Sequence, residues 1–396
     1  IESLTADQLI ALASAERGDF KVDGKTVTVS SVHSIEANAG GILTAKADKG
    51  AIYLQSAGAV NTGSSLTAAG EVRLKAKGDV DGVTIGSADQ TVIESGAGKI
   101  SDVTVTGSGV LTARAKDGVD LKKTDGDLVI NTVYASEGDV HLDLGGNSLL
   151  AEDGHDTSGD ETGTTYTNVE GENIIIKDAK DIRGAGDEKS LGMKVTGKKA
   201  ENGTETPGSI TANAAGNADI TLFGKAASDQ IAIEAGDLTL TSRGDISDGN
   251  YHASNALRVH TAKDGKISGG TFTGNTADIT NGGTMSDGSF HAEAGDMAIT
   301  NDGTMTGGAY TAADELSITN RGTMEQGAYH AKNDLTYTDS EGASLSGSEF
   351  TSKEGNVDVN AKGQLAIKKL TAKGRAKVEA AGDAKLTEIK AGSVNV

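Results

Sequence analysis

The sequence has no cysteine and no tryptophan, a single proline (Pro207), and only 3% aromatic residues among its 396. The absence of cysteine excludes disulfides, thiolate metal sites and cysteine nucleophiles. So low an aromatic content is untypical of a large globular enzyme, whose core usually draws on aromatic surface. The sequence shows neither a signal peptide nor an apolar run of the roughly 20 residues that a membrane-spanning helix needs. The pattern continues to both ends, which predicts a piece of a longer protein.

Positive charge is also scarce, because 36 basic residues face 57 acidic ones and the formal net charge is −21. A nucleic-acid partner is therefore not expected, since phosphate binding requires clustered Lys and Arg. The sign reverses between Ala361 and Val396. That segment has three acidic residues and eight basic ones: Lys362, Lys368, Lys369, Lys373, Arg375, Lys377, Lys385 and Lys390. A solvated basic face is the favoured interpretation, and a charge-complementary contact is the alternative.

What the sequence does contain is a repeat, most visible as aromatic residues at intervals of 21, 18, 20, 19 and 21. Each aromatic is followed two residues later by a small residue. An aromatic column with small neighbours suits a narrow interior, in which stacked rings gain about 0.5–1.5 kcal/mol per pair beyond burial. The predicted core stack is Tyr251, Phe272, Phe290, Tyr310, Tyr329 and Phe350.

Two more short alternating segments follow each aromatic, for example Leu316/Ile318 and then Met324. Period-2 alternation indicates strands with one face inward. A unit of about 20 residues cannot bury its own apolar face, so units must stack. The predicted fold is an all-β, right-handed parallel β-helix (solenoid) with about 20 residues per coil and loop insertions. Asn281, Asn301 and Asn320 recur in register and predict an inward ladder of amide hydrogen bonds.

Aliphatic residues replace the aromatics in the earlier part of the chain. There Leu66, Leu111 and Ile210, each starting an aliphatic-Thr-Ala triplet, are assigned to the aromatic position, and Val72 and Val140 to the second strand. The predicted organisation is a short helical or irregular start over 1–20, coils over 21–149, a loop-rich insertion over 150–208 and regular coils over 209–396. A helix is expected from Thr5 to Glu16. One strand, Asn173–Ile176, is expected inside the insertion.

Candidate chemical sites are few, and no catalytic or cofactor-binding residue is assigned. Asp153, Asp156 and Asp160 form a weak calcium candidate, but their spacing matches neither an EF-hand nor a calcium β-roll, so a solvated acidic loop is favoured.

His252, His291 and His330 also recur, at a position that Thr occupies in the intervening repeats. Histidines two coils apart, about 9–10 Å, cannot share a zinc ion and are expected to face solvent.

The enzymatic alternative is a carbohydrate-active β-helix, a polysaccharide lyase or hydrolase. Glycoside hydrolysis needs two carboxylates facing each other across a sugar, and sugar clefts usually add aromatic platforms. The sequence has no Trp, and its repeated Phe and Tyr are assigned to the core. Outward carboxylates such as Asp278, Asp296, Asp334 and Asp358 remain candidates, although they fit a solvated face better.

The segment from Leu66 to Val80, Leu-Thr-Ala-Ala-Gly-Glu-Val-Arg-Leu-Lys-Ala-Lys-Gly-Asp-Val, resembles the filamentous haemagglutinin-like large exoproteins of Gram-negative bacteria. The stretch from Asp181 to Val195 is similar to a recurring element of the same proteins, with Ser190 where a proline is common. The resemblance implies a β-helical shaft, export through an outer-membrane barrel by two-partner secretion, and a secreted or cell-surface location. The expected function is the structural shaft of an adhesin that binds host-surface or matrix glycans or proteins, and self-association is an additional expectation.

Overall fold

The chain forms an all-β solenoid of parallel strands, with about 16 turns that are roughly 20 residues apart. The structure is a computed structural model, and it describes residues 20–23, 27–31, 43–48, 50–153, 155–156, 167–186, 189–199 and 203–396. No helix occurs in those ranges, and hence none that is long and apolar enough to cross a membrane. The predicted fold class is confirmed. The helix expected from Thr5 to Glu16 lies outside the described residues.

Alternation of apolar and polar residues produces each strand. In Val72–Ala76 the side chains of Val72 and Leu74 are fully buried, while Arg73 and Lys75 between them are part-exposed. Leu316–Asn320 repeats the pattern, with Leu316, Ile318 and Asn320 inward. The parallel strands pair with the strands one coil away, so the backbone hydrogen bonds of a coil are satisfied by its neighbours. The core is therefore the interior of the stacked coils.

Two compact units make up the chain, residues 1–216 and 217–396. The strands of the first unit are short, mostly three to seven residues. They are Phe20–Asp23, Val27–Ser31, Leu43–Ala47, Ile52–Ser56, Ser65–Ala68, Val72–Ala76, Val80–Asp81, Thr84–Ser87, Gln90–Ser95, Ile100–Thr106, Val110–Ala115, Val119–Lys123, Leu128–Ala135, Val140–Asp143, Leu149–Ala151, His155–Asp156, Val169–Gly171, Ile174–Ala179, Ile182–Gly184, Lys189–Val195, Lys198–Lys199, Glu205–Thr206 and Gly208–Ala214.

The register of the first unit corrects the assignment of its aliphatic triplets. Leu66 pairs with Ile85, whereas Leu111 pairs with Thr91, which pairs with Val72. Leu66 and Leu111 therefore belong to different columns, although the sequence predicted one. The reason is that turn lengths vary here and register shifts occur between coils, so the same triplet falls on different faces.

Ile210 is corrected in the same way. It pairs with Ile174, which pairs with Val140, so Ile210 and Val140 share a column. The sequence had assigned Ile210 to the aromatic position and Val140 to the second strand. Apolar side chains of similar volume fit either column, and the triplet alone does not distinguish them.

Within 150–208, where the sequence predicts a loop-rich insertion, several of the described stretches are strands of the coils. Strands Val169–Gly171, Ile174–Ala179 and Ile182–Gly184 each pair in parallel with the preceding coil. The expected strand at 173–176 is therefore one of several. Antiparallel pairing occurs at His155–Asp156 and between Lys198–Lys199 and Glu205–Thr206. These strands are hard to recognise in the sequence, because the alternation of apolar and polar residues lasts only three residues per strand.

The second unit is more regular, with three strands per coil that we call the first, second and third faces. First-face strands are Asn250–Ala253, Thr271–Gly274, Ser289–Ala292, Ala309–Ala312 and Ala328–Ala331; second-face strands are Asp237–Ser242, Ala256–Thr261, Thr276–Asn281, Met297–Asn301, Leu316–Asn320, Leu335–Asp339 and Val357–Ala361; third-face strands are Asp245–Ser247, Lys266–Ser268, Thr284–Ser286, Thr304–Thr306 and Thr323–Glu325. Four longer strands cover more than one face: Asn217–Ala235, Ser344–Ser352, Gln364–Ala380 and Ala384–Asn395.

Candidate functional site

The six repeated aromatic rings lie in one column on the first face. Successive ring centroids are 4.5, 4.5, 5.0 and 5.0 Å apart from Tyr251 to Tyr329, and the ring planes differ by only 5–12°. The last ring departs from this order, since Phe350 is 5.4 Å from Tyr329 and tilted by 53°. All six side chains are at most 1% exposed. Burial raises the pKa of the Tyr251, Tyr310 and Tyr329 hydroxyls above the usual value. These rings are core and are not platforms for a sugar.

A glycine two residues before the aromatic accompanies the stack. A Cβ on Gly288 would lie 2.6 Å from the ring of Phe290, and one on Gly327 would lie 2.5 Å from the hydroxyl of Tyr329. Each ring therefore folds back over the space that a side chain would occupy. The residue in this position before Phe350 is the buried Ser348, and there the stack tilts. The recurring Gly-x-aromatic spacing is visible in the sequence, but the spacing alone does not show that the ring lies over the glycine.

Three asparagines form a buried ladder on the second face. The Asn281 amide donates to Asn301 Oδ1 and the Asn301 amide to Asn320 Oδ1, both over 2.8 Å. The second hydrogens of these two amides go to the carbonyls of Thr304 and Thr323, each at 3.0 Å. All three side chains are 0% exposed. The inward amide ladder predicted from the repeat is confirmed.

The ladder continues into two further side chains. Asn320 Nδ2 donates to Tyr337 Oη, and that hydroxyl donates to Asp339 Oδ2, each over 3.1 Å. Asp339 Oδ1 accepts the backbone N–H groups of Lys362 and Gly363. Asn281, Asn301, Asn320 and Tyr337 thus each donate to the next side chain of the series, and the Asp339 carboxylate accepts at its end. The exception is Asn281 Oδ1 at the start of the ladder, which is buried and accepts no hydrogen bond from any described residue. The other members satisfy one another, as a buried polar network requires to be stabilising.

The three repeated histidines lie on the outer side of the first face, where His252, Thr273, His291, Thr311 and His330 follow one another in register. The intervening threonines keep the histidines two coils apart, as predicted. His252 and His291 are exposed and His330 is half-buried. No group of three or more His, Asp or Glu residues within the described ranges is arranged to hold a metal ion.

His291 and His330 line a shallow groove of about 430 Å³ on this outer surface, together with Thr311, Lys332, Lys353 and Glu354. Burial lowers the pKa of His330, and the charge of Lys353 lowers it further. Glu349 opposes this effect, while Lys369 adds to it. The lowered pKa favours the neutral imidazole of His330, which lies in the groove with the side chains of Lys332, Lys353 and Glu354, a set that suits hydrogen bonding to a polar ligand.

The calcium candidate is only partly described. Asp153 is exposed at the surface. The side chain of Asp156 and the whole of Asp160 lie outside the described residues. The preference for a solvated acidic loop over a calcium site remains a prediction.

The outward carboxylates stabilise neighbouring coils. Asp296 Oδ1 accepts the backbone N–H of Glu315 at 3.1 Å, and Asp334 Oδ1 accepts that of Asn356 at 2.8 Å. Asp358 forms a bidentate ion pair with Arg375, with both oxygens 2.9 Å from the guanidinium. Asp278 is exposed.

The basic segment at the end of the chain divides into paired and unpaired residues. Lys368 pairs with Glu349 at 2.7 Å, Lys377 with Glu379 at 2.7 Å, and Arg375 with Asp358. Lys373 is exposed and makes no ion pair with any residue that the structure describes.

Comparison with known proteins adds no relative: the chain matches no protein-family model, no curated protein and no solved structure.

Proposed function

We propose that this chain is a structural segment of a bacterial cell-surface adhesin, which acts by presenting outer faces from a stacked scaffold. The observation that carries the proposal is the set of inward columns in the second unit. From Tyr251 to Phe350 each coil repeats the same inward residue types in unbroken register. The outer faces consequently recur at a fixed pitch of about 4.8 Å, which suits contacts with an extended partner.

The hydrogen bonds and ion pairs of the polar side chains favour a scaffold over an enzyme. Asn281, Asn301 and Asn320 are occupied by hydrogen bonds along the stack, and the aromatic rings are buried beneath the outer surface. Two of the outward carboxylates accept backbone N–H groups of the next coil, and another is ion-paired. These carboxylates already hold neighbouring coils together, so they are not free to bind or protonate a substrate.

Export and location belong to the same proposal. The pattern from Leu66 to Val80 resembles filamentous haemagglutinin-like exoproteins, and a chain without cysteine can cross a membrane unfolded without a disulfide trapping it. We infer an outer-membrane secretion barrel as the partner during export, and a host-surface or matrix glycan or protein as the partner afterwards. The lateral groove with its two histidines is the candidate contact surface.

The test is a binding screen of the chain against immobilised glycans and matrix proteins. Binding to at least one class is expected, and His330→Ala with Lys353→Ala should reduce it, because both side chains line the groove. His252→Ala, an exposed histidine that does not line the groove, is the matched control. Incubation with acidic polysaccharides tests the enzymatic alternative. Turnover that disappears in Asp278→Asn would overturn the scaffold proposal in favour of a carbohydrate-active enzyme.

A further inference from the structure

The turns that connect first-face to second-face strands lie directly on one another in the second unit. Asn333 N donates to Asp314 O over 3.1 Å, Glu354 N to Lys332 O over 2.7 Å, and Gly374 N to Gly355 O over 2.9 Å. These hydrogen bonds align the turns into one edge of the stack. We call this edge the lateral corner; it comprises residues 293–296, 313–315, 332–334, 353–356 and 373–375.

Charge is segregated along the lateral corner. The turns at 293–296 and 313–315 each carry two carboxylates and no cation. The next two turns are neutral, with Lys332 beside Asp334 and Lys353 beside Glu354. The turn at 373–375 carries two cations and no carboxylate. In chain order the formal charges of the five turns are therefore −2, −2, 0, 0 and +2.

This arrangement differs from the other outer faces of the same unit. There, opposite charges of successive coils pair directly: Asp302 with Arg321 at 2.5 Å, and Glu349 with Lys368 at 2.7 Å. On the lateral corner Glu293, Glu315 and Lys373 are exposed and form no side-chain hydrogen bond or ion pair with any described residue. Like charges on neighbouring strands destabilise a sheet. Repulsion between the like charges thus destabilises the isolated chain, and a partner of opposite charge would reduce that repulsion.

We propose that the lateral corner pairs with the lateral corner of a second copy of this chain, through a two-fold axis perpendicular to the direction of coil stacking. A ligand of one sign would neutralise only one end of the corner. A second copy related by a two-fold axis presents the same charges in reverse order, and its coils have the same pitch. The acidic turn at 313–315 of each copy then faces the basic turn at 373–375 of the other, while the acidic turn at 293–296 lies at the outer end of the interface.

The position of the axis follows from the charge order. An axis between the turns of Lys332 and Lys353 brings Asp314 and Glu315 opposite Lys373 of the second copy, whose Arg375 is paired with its own Asp358. The same axis brings Lys332 opposite Glu354 and Asp334 opposite Lys353. Lys332, Lys353 and Glu354 also line the groove, so a second copy and a ligand in the groove would compete for this surface. Every contact occurs twice, as an isologous interface requires. Exposed ion pairs are individually weak and are screened by salt, so the dimer should be weak and should dissociate at high ionic strength.

Sedimentation analysis of the whole chain tests the proposal. We expect a dimer at about 0.02 M salt and a monomer at about 0.5 M, a change in Kd of at least roughly tenfold. Glu315→Lys and Lys373→Glu should each weaken self-association by at least roughly tenfold at low salt. An equimolar mixture of the two variants should restore the dimer, because every pair between the copies is then of opposite sign.

The matched control is Glu325→Lys, which makes the same charge change at an exposed third-face position. It should dimerise as the unaltered chain does. Thermal melting by circular dichroism checks that the variants remain folded, which is expected because Glu315 and Lys373 are exposed. A chain that stays monomeric at low salt overturns the proposal, as does a mixture that associates no better than either variant alone.

Discussion

Two sets of coils fill their interiors differently. Between Ile52 and Ala115 a single column passes from Ile52 to Val72, Thr91 and Leu111, four different side chains in four coils. Between Tyr251 and Phe350 one column holds aromatic rings only. A second column includes three successive methionines, and a third includes three successive asparagines. The first set includes register shifts between coils, and the second has none from Asn250 to Asp339.

The difference also appears in how a buried polar group is satisfied. Thr91 bonds within its own coil, to the Ser87 hydroxyl at 3.0 Å. Asn301 bonds to the coils on both sides. A mixed column therefore tolerates local change, because each member is independent of the next. In a column of similar residues each side chain contacts those of the coils on both sides. A substitution of one member should therefore also weaken the interactions of its neighbours.

The largest loss of stability is expected from a charge placed inside a column of similar residues in the second unit. Ile318 is 0% exposed, and Ile318→Asp would bury an unpaired carboxylate, at a cost of more than about 4 kcal/mol in the free energy of unfolding. Ser317→Asp, the exposed neighbour, should change stability by less than about 0.5 kcal/mol. Thermal melting compares the two variants, and equal melting temperatures would contradict the register.

The second-largest loss of stability is expected when one amide is removed from the asparagine ladder. Asn301→Ala leaves the Thr323 carbonyl and two neighbouring amides short of a partner, at a cost of about 2–3 kcal/mol. Thr91→Ala, in the mixed column, removes one local bond and should cost about 1 kcal/mol. Urea unfolding measures both. A larger loss for Thr91→Ala would invalidate the contrast between coupled and independent columns.

A methyl group at the ring edge provides the third comparison. Gly288→Ala would push against the Phe290 ring, and we expect a loss of about 1–2 kcal/mol. At Gly96 a Cβ would meet nothing nearer than the Ala76 carbonyl at 3.6 Å, so Gly96→Ala should be neutral or slightly stabilising. Differential scanning calorimetry separates the two variants. If they behave alike, the glycines beside the rings have no packing role.

The smallest change in stability is expected at Asp219, which lies on an outer face and not in an inward column. Burial raises the pKa of Asp219 to about 6, and Arg258 lowers it in part. Because the folded state binds this proton more tightly than the unfolded state, the native state loses stability as pH rises from about 4 to above 6. Asp219→Asn should therefore stabilise the protein at pH above 7 by on the order of 1 kcal/mol, after allowance for partial exposure. Below pH 4 the two proteins should unfold alike. Parallel pH profiles would show that the carboxylate is not responsible.

The columns of the second unit were predictable because their landmarks are rare residues. Phe, Tyr and Met occur seldom enough that their spacing defines one register, and the recurring Asn residues follow it. The first unit offered only Leu, Ile, Val and Ala, which fit any inward position, so Leu111 and Ile210 were assigned to the wrong columns. Turn length decides the register there, and turn length is not visible in the alternation.

The lateral corner could not be found from the sequence alone. Acidic and basic residues are spread through the chain, and only the stacking of the turns places those at 293–296, 313–315 and 373–375 on one edge. The role of Gly288 and Gly327 was hidden for a similar reason, because their spacing from the ring was visible but the folding-back of the ring was not.

One consequence of the aromatic column concerns evolution by duplication. Phe290 and Tyr310 are each followed by a polar residue and then by Ala, so excising residues 291–310 would join Phe290 directly to Thr311 and preserve the alternation. Tyr329 would then be the next ring after Phe290, and the interior would look unchanged. Nothing inside such a column distinguishes one coil from its neighbour. Insertion or deletion of one whole coil would therefore preserve the interior of this region, whereas at Phe350 the tilted ring interrupts the uniform stack.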